Sequence, residues 1–495
     1  MICFSIPFIA ACLMLGMMFY LARSYSRASA APSLSTLEGA ILVTTLEDEL
    51  NSDSDCSLRE AITAANDNIP VDACPSGDAV FTDTITFDVV GTITVTSQLE
   101  VTAGGPLEID GGGVITTSGG GTTRVWFVDT DSELTLQHLA ITDGFRDSGS
   151  GLFNHGGNMT INDCFLSENS TYYDGGAIYN EYGNIYITNS ILSGNSTIYD
   201  NSGGYSCNGA AIYNGNGTIT ITNSTLSGNS SYNNGGAIFN GNLYGSGIMT
   251  IANSILSGNN TGFTGSGGAI RNLRGVLTVT NSTLSGNSSN YEYGGAIDND
   301  DTMKVTNSTL YGNSAYNGGA IYNYYPSDVA ITVTNSIVAN NTRGGDCSGT
   351  IIDGGHNLSS DDTCGFDPAN GSMPITDPRL GLLQDNGGPT WTHALLWNSP
   401  AIDAGDNTQC SPADQRGVLR PLDGDNDGMA ICDIGAYERE YQPVFLLPLV
   451  LKSSPPPLAP ASSLPGVGVL VGLVIVGMVG RWKGEGKIVG ERTNL

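Results

Sequence analysis

Residues 175–180 read Gly-Gly-Ala-Ile-Tyr-Asn, and residues 185–196 read Ile-Tyr-Ile-Thr-Asn-Ser-Ile-Leu-Ser-Gly-Asn-Ser. Versions of these two phrases recur seven times, and successive copies begin roughly 24–34 residues apart. A unit of this length is too short to bury its own apolar face, so each copy must pack on its neighbours. The chain is therefore predicted to contain a stack of similar units. The copies begin at Gly149, Gly175, Gly209, Gly235, Gly267, Gly294 and Gly318.

The pattern within each copy indicates β-strands. Residues 218–222 alternate Thr and Ile, which is the period of a half-buried strand. Gly and Asn separate such runs, and both tolerate the left-handed backbone angles that sharp corners need. The copies lack helical spacing and the Leu and Asn spacing of leucine-rich repeats. We predict an all-β fold, a single-stranded right-handed parallel β-helix (solenoid) over residues 81–348. A small N-terminal cap and a C-terminal domain held by disulfide bonds are predicted to flank it.

Alignment of the copies predicts columns of equivalent side chains about 4.8 Å apart. Two apolar columns belong in the core, and three Asn columns are predicted to form amide ladders at the corners, as in cross-β structures. The first apolar column is Leu152, Ile178, Ile212, Ile238, Ile270, Ile297 and Ile321. The second is Leu192, Leu226, Leu256, Leu284, Leu310 and Val338. The Asn columns are 154, 180, 214, 240, 272, 299, 323; then 189, 223, 253, 281, 307, 335; and 169, 195, 229, 259, 287, 313, 341.

Parallel β-helices also host polysaccharide-cleaving enzymes, so the acidic clusters need scrutiny. Glycoside hydrolysis uses two carboxylates roughly 5–10 Å apart, and the best cluster is Asp298, Asp300 and Asp301. However, Asp298 directly follows Arg271 in a column that is aromatic in the other five copies. In-register stacking predicts an ion pair between them on an exposed face, worth about 0–1 kcal/mol. We therefore interpret the acid as structural and predict no catalytic and no cofactor-binding residue.

Composition narrows the possible functions. The chain carries a formal charge of −30 and 67 Gly, and only 13% of its residues are charged. This acidic charge balance excludes the basic surface that a nucleic-acid-binding protein needs. It is typical of a soluble, self-repelling extracellular surface.

The two ends of the chain predict export and anchoring. An apolar run over residues 2–21 is followed by Arg23, Arg27 and the cleavage signal Ala28-Ser29-Ala30, which predicts a signal peptide over residues 1–30. The alternative is that this segment is retained as an anchor. A Pro-rich spacer over 441–463 leads to an uncharged apolar run, which predicts a transmembrane or sorting anchor over 464–483 and a cytoplasmic tail over 484–495. Residues 464–468 resemble a sortase signal with Val in place of Thr. We expect a membrane- or wall-anchored protein at the cell surface.

Cysteine positions agree with export. Three pairs close in sequence lie outside the regular repeats, where a disulfide is most useful. Cys164 and Cys207 fit less well, because a separation of two coils is about 10 Å, beyond disulfide reach unless the insertion that carries Cys207 folds down towards Cys164. The predicted disulfides are Cys56–Cys74, Cys347–Cys364 and Cys410–Cys432.

The flanks and the repeats carry family resemblances. Residues 55–62 read Asp-Cys-Ser-Leu-Arg-Glu-Ala-Ile and resemble the CSLREA domain of bacterial surface proteins, predicted as a cap over 40–80 in which Ser57 and Glu60 form a helix capping box. The repeats resemble those of polymorphic outer-membrane proteins, with Leu in place of Phe. Residues 349–440 are similar to the choice-of-anchor Q domain. Its matching stretches are 355–358, 377–381, 386–390, 399–405, 414–417 and 432–436. The resemblances imply an architecture for surface display.

One metal site is a candidate. Residues 423–428 read Asp-Gly-Asp-Asn-Asp-Gly, the start of an EF-hand-type calcium loop. The twelfth position is Ile434, so the closing Glu is missing. The alternative is an acidic Gly-rich turn held near the Cys410–Cys432 pair. The candidate calcium ligands are Asp423, Asp425, Asp427 and Asp433.

Two functions from different classes remain open. We expect a non-catalytic, surface-anchored protein for adhesion or display, with an extracellular glycan or a neighbouring cell surface as its partner. The alternative is a carbohydrate-active enzyme on the same fold, either a polysaccharide lyase or a glycoside hydrolase. An enzyme needs a cleft where turns meet convergent carboxylates, whereas a display protein can have an even surface.

Overall fold

The computed structural model describes residues 40–441, apart from 103, 200–206, 244, 263–264 and 324–330. The described residues belong to one compact unit. The predicted leader, anchor and tail lie outside them, as does nearly all of the predicted spacer. None of the described helices has the length and apolar character that crossing a bilayer requires.

Each coil contributes strands to three parallel sheets, named here the long, short and aromatic faces. In one coil Thr218–Thr222 and Thr225–Ser227 lie on the long face, Ser230–Ser231 on the short face and Ile238–Asn240 on the aromatic face. Neighbouring coils pair in parallel and in register. The predicted parallel β-solenoid and its column alignment are confirmed, while its right-handed winding stays a prediction.

The faces run through most of the described chain. The first strands of the long face are Ala40–Val43, Asp83–Phe87, Pro106–Ser118, Glu133–Thr142, Asn158–Asn162, Asn184–Thr188, Thr218–Thr222, Ile248–Ala252, Val276–Thr280, Met303–Thr306, Ile331–Thr334 and Ile352–Asp353. Its second strands are Phe165–Ser167, Ile191–Ser193, Thr225–Ser227, Ile255–Ser257, Thr283–Ser285, Thr309–Tyr311, Ile337–Ala339 and Leu358–Ser359. Gly91–Thr94 pairs with the second half of Pro106–Ser118 and therefore aligns with the second strands. The short face contains Phe145–Arg146, Ser170–Thr171, Ser196–Thr197, Ser230–Ser231, Asn260–Thr261, Ser288–Ser289, Ser314–Ala315 and Thr342–Arg343. The aromatic face contains Leu99–Val101, Trp126–Val128, Leu152–Asn154, Ile178–Asn180, Ile212–Asn214, Ile238–Asn240, Ile270–Asn272, Ile297–Asn299, Ile321–Asn323 and Cys347–Ser348.

Parallel pairing extends on both sides of residues 81–348. Ala40–Val43 pairs with Asp83–Phe87, and Leu358–Ser359 pairs with Ile337–Ala339. An unpaired sheet edge exposes backbone N–H and C=O groups, so adjoining segments add strands that satisfy them. Within the predicted range the first described strands are Asp83–Phe87, Gly91–Thr94 and Pro106–Ser118, apart from the short aromatic-face strand Leu99–Val101.

The core consists of the predicted apolar columns. Every member of the Ile and the Leu column has no exposed surface. Burying one such side chain contributes about 1.5–3 kcal/mol. Because each coil repeats the same apolar contacts with its neighbours, the stability of the solenoid increases with every coil.

Two of the predicted Asn columns form continuous buried ladders. In the column that starts at Asn169, each side-chain amide donates to the amide oxygen of the next coil at 2.9–3.1 Å. The last member, Asn341, donates to the carboxylate of Asp346 at 2.9 Å. In the column that starts at Asn154, the same bond runs at 2.7–3.0 Å as far as Asn299.

The third Asn column, from Asn189 to Asn335, differs from the prediction. Its members occupy the left-handed corner with φ of 47–53°. Only occasional side-chain bonds, at 3.3–3.4 Å, link its members. Asn tolerates the left-handed backbone conformation of this corner better than most residues do. The column therefore recurs because of the turn conformation and not because its amides form a ladder.

A Ser ladder follows that corner, and the sequence reading missed it. Each Ser accepts a bond from the backbone N–H of its equivalent in the preceding coil at 3.1–3.2 Å. Each hydroxyl donates to a carbonyl two residues earlier at 2.7–2.8 Å. The signal was the Ser after each corner Asn. The members are Ser190, Ser224, Ser254, Ser282, Ser308 and Ser336.

The C-terminal segment folds back onto the long face of the later coils. It contains a short 3-10 helix, Pro368–Asn370, and an antiparallel pair, Leu380–Gln384 and Thr392–Leu395. The Thr283 hydroxyl donates to Gln415 at 2.6 Å, and the corner amides of the later coils donate to carbonyls of this segment. The sequence did not predict that these coils would be covered.

Three disulfides link the predicted pairs. Their Cα–Cα distances of 5.0, 4.8 and 6.7 Å fall within the usual range. Cys164 and Cys207 are buried cysteines outside these bridges. The bridged pairs are Cys56–Cys74, Cys347–Cys364 and Cys410–Cys432.

The N-terminal cap contains the helix Leu58–Asp67 and the predicted capping box. Ser57 accepts from the Glu60 backbone N–H, and the Glu60 carboxylate accepts from the Ser57 N–H. We expect Ser57→Ala to lower the free energy of unfolding by about 1–2 kcal/mol in urea titrations. The exposed Ser52→Ala is the matched control, and an equal effect of both changes would contradict the role of the box.

Candidate functional site

A stripe of stacked aromatic rings follows the aromatic face. Centroids of consecutive rings lie 4.8–5.7 Å apart, a stacking distance. The next two positions in register hold Arg271 and Asp298, and the aromatic column resumes at Tyr322. The stripe is therefore interrupted over two coils. Its stacked members are Phe127, Phe153, Tyr179, Tyr213 and Phe239.

An ion-pair cluster occupies the interruption. Arg271 Nη1 lies 2.7 Å from Asp298 Oδ2, which confirms the predicted pair across adjacent coils. The same guanidinium also donates to both carboxylate oxygens of Asp300, at 3.0 Å to Oδ1. One cation thus pairs with two carboxylates.

The predicted exposure of this pair is wrong. Only 2% of Asp298 is exposed, and the Arg271 side chain is 15% exposed. Glu292 and Tyr293, on a neighbouring turn, line the same cleft as the pair. The estimate of about 0–1 kcal/mol for a surface ion pair does not apply to a buried pair, because burial removes the hydration of both charges.

Burial controls the protonation of the cluster. Loss of solvent raises the pKa of Asp298 to about 7, although the Arg271 charge acts in the opposite direction. Burial also acts to lower the pKa of Arg271, but the carboxylates of Asp298 and Asp300 outweigh it, so the pKa rises. Arg271 therefore stays charged while Asp298 titrates near neutral pH.

A cleft opens above the cluster. Its volume is about 230 Å³, and both rims are aromatic, with Phe239 on one side and Tyr293 and Tyr322 on the other. The ring centroids of Tyr293 and Tyr322 lie 4.3 Å apart. Asp298 and Glu292 also line the cleft. Convergent carboxylates beneath a turn are what the sequence reading required of an enzyme, so the enzyme alternative stays open.

The Asp298 carboxyl predicts a pH-dependent stability. The native state retains its proton up to a pKa of about 7, whereas the ordinary value is 3.8. Between these values the unfolded chain binds fewer protons, so raising the pH lowers the free energy of unfolding. We expect Asp298→Asn to remove on the order of 2 kcal/mol of that decline between pH 4 and 7.5, measured by urea titration at each pH.

Ser57→Ala is the control for this experiment, because it changes stability without removing a titratable group. It should show the parental dependence on pH. An Asp298→Asn variant with the parental pH dependence would mean that Asp298 is charged throughout the range.

The candidate calcium ligands are only partly brought together. Carboxylate oxygens of Asp423, Asp425 and Asp403 lie within 4.8 Å of one another. Asp427 and Asp433 are outside this cluster, and their carboxylates accept from backbone N–H groups, as those of Asp423, Asp425 and Asp403 also do. Burial also raises the pKa of Asp433 well above 3.8, and a protonated carboxyl is a poor ligand. Asp403, which the sequence reading missed, is distant in the chain, and calcium at this turn stays a prediction.

Comparisons with known proteins concern the repeat and the fold. Residues 163–181 match the model of the Chlamydia polymorphic membrane protein repeat, in agreement with the predicted resemblance of the repeats. No curated protein is detectably similar in sequence. The crystal structure of the pectate lyase Pel9A is similar at 15% identity and a TM-score of 0.48, covering 82% of this chain and 97% of that chain.

Proposed function

We propose that this protein is an exported, surface-anchored β-solenoid that serves adhesion or display without catalysis. The observation that supports this most is the engagement of Arg271 with both Asp298 and Asp300. Paired carboxylates that catalyse glycoside cleavage need one proton donor and one available base or nucleophile. In this cluster the same guanidinium holds both groups.

The architecture supports surface display. Disulfides persist in oxidising, extracytoplasmic environments, and three of them are present. The repeat match names a membrane protein family. We propose a CSLREA-like cap over 40–80 and a choice-of-anchor-like domain over 349–440, with a signal peptide before them and an anchor over 464–483 after them.

One observation favours the enzyme alternative. A carboxyl whose pKa is about 7 is matched to general acid or base catalysis at neutral pH, and Asp298 lies in a cleft. On this alternative the protein is a polysaccharide lyase or glycoside hydrolase, and Asp298 is its proton-transfer group.

Surface labelling and product analysis test the proposal together. Intact cells that produce the chain are treated with a membrane-impermeant biotin reagent, with a cytosolic protein as the control. The purified full-length chain is incubated with neutral and acidic polysaccharides, and new reducing or unsaturated ends are measured. We expect the chain to be biotinylated on intact cells and the polysaccharides to show no new reducing or unsaturated ends. An activity that Asp298→Asn abolishes in a folded protein would establish the enzyme instead.

A further inference from the structure

The Arg271 cluster occupies the interruption of the aromatic stripe, and the cleft beside it is lined by aromatic side chains. Phe239 stacks on Tyr213 at 5.3 Å with 4° between the planes, and its neighbour in the next coil is Arg271. Across the cleft the stripe resumes with Tyr322, which stacks on Tyr293. Two positions of the aromatic column, between Phe239 and Tyr322, thus hold Arg271 and Asp298 in place of aromatic residues. A volume of about 230 Å³ is smaller than that of most drug-binding pockets, which suits a single ring of a longer ligand.

The floor of the cleft presents polar groups to such a ring. Asp298 Oδ1 is buried and has no hydrogen-bond partner among the described residues. The Ser266 hydroxyl donates to Glu292 Oε2 at 3.2 Å and is also close enough to Asp298 to act against the rise of its pKa. An unpaired buried acceptor is unfavourable, and a ligand hydroxyl would supply the missing donor. Arg271 and the carboxylates together offer both donors and acceptors to hydroxyl groups.

The charge of the cleft selects among ring-shaped ligands. One guanidinium, from Arg271, faces the three carboxylates of Glu292, Asp298 and Asp300. An acidic sugar would add a further negative charge beside them, whereas a neutral sugar adds none. We propose that this cleft binds one pyranose ring of a neutral oligosaccharide, between Phe239 and the Tyr293–Tyr322 pair. The proposal rests on the adhesion function above and specifies its ligand class.

Binding of defined hexasaccharides tests the site. The purified full-length chain is titrated calorimetrically with neutral hexasaccharides of glucose, mannose, galactose, xylose and N-acetylglucosamine, and with hexagalacturonate. We expect at least one neutral hexasaccharide to bind more tightly than hexagalacturonate. Tyr293→Ala and Glu292→Gln should each weaken it at least about tenfold. Tyr232→Ala is the matched control, because Tyr232 stacks on Tyr199 at 4.7 Å outside the cleft.

Several outcomes would overturn the proposal. The first is that no neutral hexasaccharide binds, and the second is that hexagalacturonate binds more tightly than every neutral hexasaccharide. The third is that a neutral hexasaccharide binds equally well to the folded Tyr293→Ala and Glu292→Gln variants. Surface labelling with no saccharide binding would refute this site and leave the display function intact. Binding accompanied by cleavage of the saccharide would keep the site and refute the non-catalytic function.

Discussion

Asn229→Leu should lower the free energy of unfolding by roughly 3–6 kcal/mol. The buried Asn229 amide donates to Asn259 Oδ1 and to the Leu192 carbonyl, each at 3.0 Å. Its oxygen accepts from the backbone and side-chain nitrogens of Asn195, both at 3.0 Å. Leu makes none of these bonds, so polar groups in the coils above and below lose their partners where water cannot replace them. Urea unfolding followed by circular dichroism measures the loss.

Asn184→Leu is the matched control. Asn184 is exposed, donates only to the exposed Asn158, and aligns with positions held by Ile248 and Val276 in later coils. We expect a change within about 0.5 kcal/mol. If both variants were equally stable, the buried amide ladder would contribute no more than a surface contact.

Arg271→Ala is the second change with a large expected effect, a loss of roughly 3–5 kcal/mol. Removing the guanidinium leaves Asp300 without its opposite charge, and it raises the pKa of Asp298 further above its value of about 7, so that Asp298 is more fully protonated. Asp298 can respond by binding a proton, which limits the cost. Thermal and urea unfolding at pH 7 and pH 5 measure it, and the loss should be smaller at pH 5.

Replacing both Arg271 and Asp298 with Tyr should recover most of that stability. The two positions are in register, so the new rings would lie about 4.8 Å apart and join the aromatic stripe. The same change fills the cleft and should abolish saccharide binding. A double variant no more stable than Arg271→Ala would show that the site depends on its charges and not on the ring column.

The repeat made most of the fold predictable. The aliphatic residue at the start of each aromatic-face strand, Leu152 in the first copy and Ile in the others, recurs at the same place, so strand, register and core column follow from aligning the copies. The corner Asn and the Ser after it were visible in the same alignment. Without backbone angles, however, the Asn of a left-handed corner could not be distinguished from the Asn of a ladder.

The site was predicted less completely. The order of Arg271 and Asp298 in one column was sufficient to predict their ion pair. Their burial was not predicted: the cleft around them is also lined by Glu292 and Tyr293, which lie on a turn whose length varies among the copies. Asp300, two residues beyond Asp298, was noted as an acid and not as a second partner of the same guanidinium.

The sequence by itself determined whatever repeats: the parallel coils, the apolar columns and the positions of the amides, because in-register stacking places equivalent residues on top of one another. Tertiary structure alone decided what does not repeat. The return of the C-terminal segment onto the later coils, the approach of Asp403 to the acidic turn and the cleft around Asp298 all join residues whose separation follows no period. Such contacts depend on how turns and flanks pack in three dimensions, and a periodic pattern carries no information about them.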